Sequence, residues 1–215
     1  MAKIADTLND IQKLQDTMSD KIDDRMGFSD SGFIRDLMTF TTIYLFSLLS
    51  HATLDVLKDR ILPSRHPYAD KYYSMYKQRG LLQELIRLDN ITGVFLLWNI
   101  FEKYIDSTRA TLPGNPERTL EDRYKRILRH IGIDQPTYDA MVNEFNLIRL
   151  TRNSLHGGGI YRNSRKFSYK LKGRDYFLEM GKEVTPIRIM DIAETIWKHF
   201  VTVTDGSERS LVASR

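Results

Sequence analysis

With 215 residues, 41% of them apolar and 11% aromatic, the chain has enough material for one domain and its core, which excludes disorder from end to end. It contains no cysteine, and that removes disulfides, thiolate metal sites and cysteine nucleophiles together. The net charge of +4 is unevenly spread: residues up to Leu62 carry 7 Lys/Arg against 10 Asp/Glu, a net of −3, whereas Arg118 to Arg174 carry 13 against 5, a net of +8. A basic half suits a polyanionic partner such as RNA or DNA, and it is equally compatible with an ordinary solvated face.

The first ten residues lack the apolar run of a signal peptide, so the expectation is a cytoplasmic protein. Ile4, Leu8, Ile11, Leu14, Met18 and Ile22 recur every three or four residues and predict an amphipathic, surface-lying helix within 1–27, closed by Gly27. That helix either packs on the domain or pairs with a copy of itself. Ser29-Asp-Ser-Gly can start the next helix, and Phe33 to Leu62 is apolar on nearly all sides. Its longest apolar run, Met38 to Leu49, is about a dozen residues, against the ~20 needed to span a bilayer. It reads as a buried core helix, and no membrane partner is expected.

Pro63 to Pro67 breaks the pattern, and the tyrosine-rich Tyr68 to Tyr76 is helical or irregular. A further helix covers Ile91 to Ala110 with Trp98, Phe101 and Ile105 as core residues, followed by a loop at Pro113-Gly-Asn-Pro116. Leu120 to Ile131 predicts a short basic helix. Pro136 sits in the first turn of another that runs to His156, burying Met141, Phe145, Ile148 and Leu155. Gly157, Gly158 and Gly159 stop it, because three glycines forfeit too much backbone entropy inside a helix.

The period then changes to two. Phe167, Tyr169 and Leu171 alternate, Lys172-Gly-Arg-Asp turns, and Tyr176, Leu178 and Met180 follow, which predicts a β-hairpin. Pro186 opens a last helix through Val203 with Ile189, Ile192, Ile196 and Trp197, and Asp205 to Arg215 reads as a flexible tail. The fold class expected is mainly α: a helical bundle over 28–204 with a small hairpin insertion, about 160–183, before the last helix.

Chemistry concentrates at one helix end. Arg149, Arg152, Asn153 and His156 fall within eight positions. Arg149 and His156 are almost two turns apart, and Arg152 and His156 are four residues apart, so all three share one face. Guanidinium groups bind phosphate through a bidentate fork, and imidazole moves protons near neutrality. Together they suit cleavage of an RNA phosphodiester by its own 2′-hydroxyl, with no metal and no cofactor. The alternative is a cationic cap on a helix C-terminus.

The run Ile148-Arg-Leu-Thr-Arg-Asn-Ser-Leu-His-Gly resembles the signature of HEPN domains, in which an arginine is followed after four to six residues by a histidine. A polar residue often follows the arginine directly. Here six residues separate Arg149 from His156 but Leu150 follows Arg149, while Arg152 precedes Asn153 and has only three residues between it and His156. Both arginines stay open, with Arg152-Asn153 the more family-like pair. The run Leu97-Trp-Asn-Ile-Phe-Glu-Lys-Tyr104 resembles the earlier core helix of such domains, where an acidic residue can face the motif; Glu102 is that residue, or else an exposed glutamate paired with a lysine.

The resemblance implies a helical bundle, a homodimer with composite cleft, and a metal-independent ribonuclease of a toxin–antitoxin or phage-defence system, with an antitoxin or defence protein as a further partner. In that reading His156 is general base or acid, Arg152 and Arg149 hold the phosphate, Asn153 orients substrate or imidazole, and Glu102 supports an arginine. Arg162, Arg165, Lys166 and Lys170 track the RNA backbone, and Tyr161 stacks on a base, donates to a phosphate, or simply packs. The rival is a non-catalytic module of the same fold that binds nucleotide, nucleic acid or a protein partner. A third possibility is a purely structural dimer or adaptor. The remaining histidines divide into core (His51), loop (His66) and surface (His130, His199), with no pair at metal-ligand spacing, so no metal site is expected.

Overall fold

The computed structural model describes residues 2–21, 28–60, 81–115 and 117–213. Gly27, the Pro63 to Pro67 break with His66, and Tyr68 to Tyr76 lie outside the described residues, as do the side chains of Ile4, Ile22 and His51. The elements are α1 (Ala2–Asp20), α2 (Phe28–Arg60), α3 (Leu81–Ala110), α4 (Leu120–His130), α5 (Gln135–His156), β1 (Phe167–Leu171), β2 (Arg174–Leu178) and α6 (Ile189–Ala213). The fold is mainly helical with one small antiparallel hairpin, as the change of period predicts.

Local signals set several boundaries. Thr119 caps α4 by accepting from the Asp122 backbone N–H, and Asp134 caps α5 by accepting from that of Thr137, with Pro136 in the first turn. Two hydrogen bonds from Thr137 hold the Asp134 carboxyl below its ordinary range. α1 runs to Asp20, with Asp16 and Asp20 at its carbonyl end, where the helix dipole disfavours carboxylates. Of its two predicted roles, packing on the domain is observed, since Ile11, Leu14 and Met18 are buried and α1 touches α2 and α6.

α3 is the hub, touching α2, α4, α5 and α6. Its Trp98, Phe101 and Ile105 are buried, with Trp98 5.4 Å from the Phe145 ring of α5. Phe101 and Phe145 meet Tyr124 of α4, and Phe33 of α2 stacks on Phe200 of α6 at 4.6 Å. Trp197 is half-buried and stacks on Phe200 from outside. Burying one large apolar side chain contributes ~1.5–3 kcal/mol, so this ring cluster is a main source of cohesion.

Two expectations are corrected. α2 is not buried throughout: Phe33, Ile34, Leu37 and Phe40 lie in the core, but Ile43, Phe46 and Leu49 are exposed. Its stretch Ser31–Ser50 has 20 residues with mean hydropathy 1.2, long and apolar enough to cross a membrane by length and composition alone, and only 28% of it is buried. Within it Asp36 pairs with Lys103 of α3 at 2.9 Å. The last helix runs on through the supposed tail to Ala213. It does so because Gly206 lies flat against Ile131, where an added Cβ would come within 2.9 Å of the Ile131 Cβ, and because Asp205 pairs with Lys21 at 2.6 Å.

In the hairpin, Phe167 pairs with Leu178 and Leu171 with Arg174. Before it, the α5 exit is bound into the same ladder direction: Tyr161 exchanges backbone hydrogen bonds with Lys182 and Gly181, and the Val184 N–H donates to the Gly159 carbonyl. Gly158 and Gly159 both have positive φ, and their N–H groups donate to Leu155 and Ser154, closing α5 as the glycine run predicts. The motif at the end of α5 is therefore held from both sides, by α3 within the bundle and by the strand segment after it.

Candidate active site

The last two turns of α5 carry Arg149, Arg152, Asn153 and His156, and the structure divides them. Arg149 turns toward α4. Its Nη2 lies 3.0 Å from Glu121 Oε2, and Nη2 and Nε donate to Asn146 Oδ1 at 2.8 and 3.2 Å. Glu121 also accepts from Lys125 at 2.6 Å. Burial alone would raise the Glu121 carboxyl, but the Lys125 hydrogen bond and the Arg149 charge hold it below the usual range. Arg149 is thus committed to a small charge network.

Arg152 turns toward α3. Its guanidinium carbon lies 5.4 Å from the centroid of the Phe95 ring, and Nη1 donates to Asn153 Oδ1 at 3.1 Å. Its Nε is buried without a hydrogen-bond partner, and among the described residues no carboxylate pairs with it. Apart from Nη1, the guanidinium donates no hydrogen bond among the described residues. His156 is exposed and meets the same ring edge-on, centroids 6.0 Å apart at 73°. Phe95 therefore gathers Arg152 and His156, while Asn153 is exposed beside them.

Glu102 joins none of them. Among the described residues it makes no hydrogen bond or ion pair with Arg149, Arg152 or His156. It lies seven residues beyond Phe95 on α3, a rise of about 10 Å. The acid that meets an arginine of the motif is Glu121, which has no sequence signal beyond lying on the short basic helix.

The basic flank is partly neutralised. Lys166 pairs with Glu179 at 2.6 Å and Lys170 with Asp175 at 3.5 Å, both across the hairpin. Arg162 donates to the Gly157 carbonyl at 3.1 Å, a cationic cap on the end of α5. Arg165 is exposed and makes no side-chain ion pair among the described residues. Tyr161 is 2% exposed and its hydroxyl donates to the Arg165 carbonyl at 2.8 Å, so of its three expected roles the structure displays packing.

His130 is exposed as expected, but His199 is not a surface residue: it is completely buried. Its Nδ1 lies 2.8 Å from the Tyr124 hydroxyl and its Nε2 2.7 Å from Glu144 Oε2. The sequence did carry a signal for this, since His199 follows Ile192 and Ile196 by seven and three residues, on the apolar stripe of α6. Phe95 also had one, standing three residues before Trp98 on the core helix.

Comparison with family models, with curated proteins and with solved structures finds no match to this chain.

Proposed function

We propose that this chain binds RNA through Arg152, Asn153 and His156 and cleaves it without a metal ion, in the manner of the HEPN-like ribonucleases its motif resembles. The observation that carries the reading is the meeting, on one aromatic ring, of an exposed imidazole and a guanidinium that no carboxylate pairs with among the described residues. Arg152 takes the phosphate. His156 removes the 2′-hydroxyl proton, O2′ attacks phosphorus, and the bond from phosphorus to O5′ breaks, leaving a 2′,3′-cyclic phosphate and a 5′-hydroxyl. The leaving oxygen needs a proton, and one chain supplies one imidazole here. A homodimer that brings a second His156 to the cleft answers that need. The exposed Ile43, Phe46 and Leu49 of α2 and Leu88 and Leu96 of α3 offer apolar surface for such an association. A toxin–antitoxin or phage-defence role, with its partner protein, rests on the resemblance alone.

Within this reading Arg152 is the motif arginine. Arg149, engaged by Glu121 and Asn146, buttresses the helix end, and Arg165 is an exposed cation of the flank with no ion pair among the described residues.

A second reading, a non-catalytic module that binds RNA or nucleotide, draws support from the same network. With Arg149, Lys166 and Lys170 all paired to carboxylates, fewer cations remain for a phosphorane than for a ground-state phosphate contact. One experiment separates them: wild type, His156→Ala and Arg152→Ala are incubated with total RNA in EDTA, with end-group analysis of products and binding measured on the same samples. Cleavage by wild type alone, leaving cyclic phosphate ends, supports the ribonuclease. Salt-dependent binding that Arg152→Ala weakens, with no product from any protein, supports the module.

A further inference from the structure

The bundle buries a second polar constellation, remote in role from the α5 terminus and independent of the reading above. Tyr124 of α4, Glu144 of α5 and His199 of α6 form an unbroken chain of hydrogen bonds, at 2.8 Å from tyrosine to imidazole and 2.7 Å from imidazole to carboxylate. The Tyr124 and His199 rings also stack at 5.6 Å and 15°, and Phe101 of α3 covers the imidazole at 5.6 Å. Lys198 donates to both oxygens of Glu144 at 2.9 and 3.1 Å. The Tyr169 hydroxyl of β1 faces the same carboxylate, Lys172 at the hairpin turn acts on it from farther off, and Tyr104 of α3 faces Tyr124.

The pattern specifies one protonation state. Burial keeps the Tyr124 phenol protonated, well above its ordinary range, so it donates to Nδ1. Nε2 then carries the imidazole hydrogen and donates to Glu144, which is ionised. A proton added at Nδ1 would leave the Tyr124 hydroxyl hydrogen without an acceptor in this network. It would also place a second cation beside Lys198 on a single carboxylate. Burial accordingly holds the imidazole below its usual titration range, despite the opposing pull of Glu144. For Glu144, burial acts upward, but the His199 and Lys198 contacts outweigh it and keep the carboxyl low.

We propose that Tyr124, His199 and Glu144 form an acid-sensitive latch that fastens α4, α6 and the hairpin to α5, closed while His199 is neutral and released when it takes a proton. The direction follows from linkage. An unfolded chain accepts a proton on histidine near pH ~6.5, whereas the buried imidazole resists, so the unfolded state binds more protons below that point and stability falls with pH.

The test is thermal unfolding of the full chain against pH. The wild-type Tm falls by roughly 3–5 °C between pH 7.5 and 5.5 on account of this group. His199→Gln, whose amide still donates to Glu144 but cannot titrate, melts lower at pH 7.5 and loses at least half of the pH dependence. Equal slopes in the two proteins overturn the latch. Should His199→Gln fail to fold, nitrogen-15 NMR of the wild-type imidazoles decides. One buried histidine that keeps its Nε2–H tautomer down to about pH 5.5 is expected; a His199 that titrates at or above pH ~6.5 overturns the proposal.

Discussion

Two histidines of this chain sit in opposite worlds. His156 ends α5 on an exposed face, edge-on to Phe95, and His199 lies at the centre of the bundle with both ring nitrogens engaged. The first is open to a ligand and contributes little to cohesion. The second ties three helices together through both of its ring nitrogens. Histidine identity alone therefore carries no function; the distinction lies in whether the neighbours leave a nitrogen unused.

That contrast can be broken most sharply at the buried end. His199→Ala leaves Tyr124 and the Glu144 carboxylate without their shared partner and opens a cavity among aromatic rings. It lowers the unfolding free energy by about 3–5 kcal/mol in urea denaturation, and a loss below about 1 kcal/mol would erase the distinction. Phe95→Leu comes next. It removes the ring under Arg152, keeps the fold, and weakens RNA binding by roughly two- to fivefold in a titration at fixed salt.

Arg149→Ala removes a part-exposed ion pair with Glu121, costs about 0.5–1 kcal/mol, and leaves RNA affinity within about twofold. If it weakens binding more than Arg152→Ala does, the assignment of the two arginines reverses. The smallest stability effect belongs to His156→Ala, within about 0.5 kcal/mol of wild type by the same denaturation assay. A larger change would mean that His156 is structural after all.

The helices and hairpin were legible because their burial is periodic. Trp98, Phe101 and Ile105, or Phe167, Tyr169 and Leu171, announce a face by spacing alone. The exposure of Ile43, Phe46 and Leu49 was not, since an apolar residue looks the same in a core and on an uncovered face. The continuation of α6 past Val203 depends on Ile131, far away in sequence, accepting Gly206. At the site, the sequence placed Arg152 and His156 on one ridge, and α3 supplied the ring between them. It could not reveal that Glu121, rather than Glu102, would meet Arg149, because such pairings depend on how α4 docks.

The two tryptophans also make this protein its own optical instrument. Trp98 is sealed between α3 and α5, against Phe101 and Phe145, while Trp197 stacks on Phe200 at the bundle's outer side. Blue-shifted emission shielded from acrylamide reports the sealed indole, and the quenchable component reports the outer one. With Trp197→Phe, the remaining fluorescence follows the packing of α5 against α3 alone, which places an intrinsic gauge less than one helical turn along α3 from Phe95, the ring that gathers Arg152 and His156.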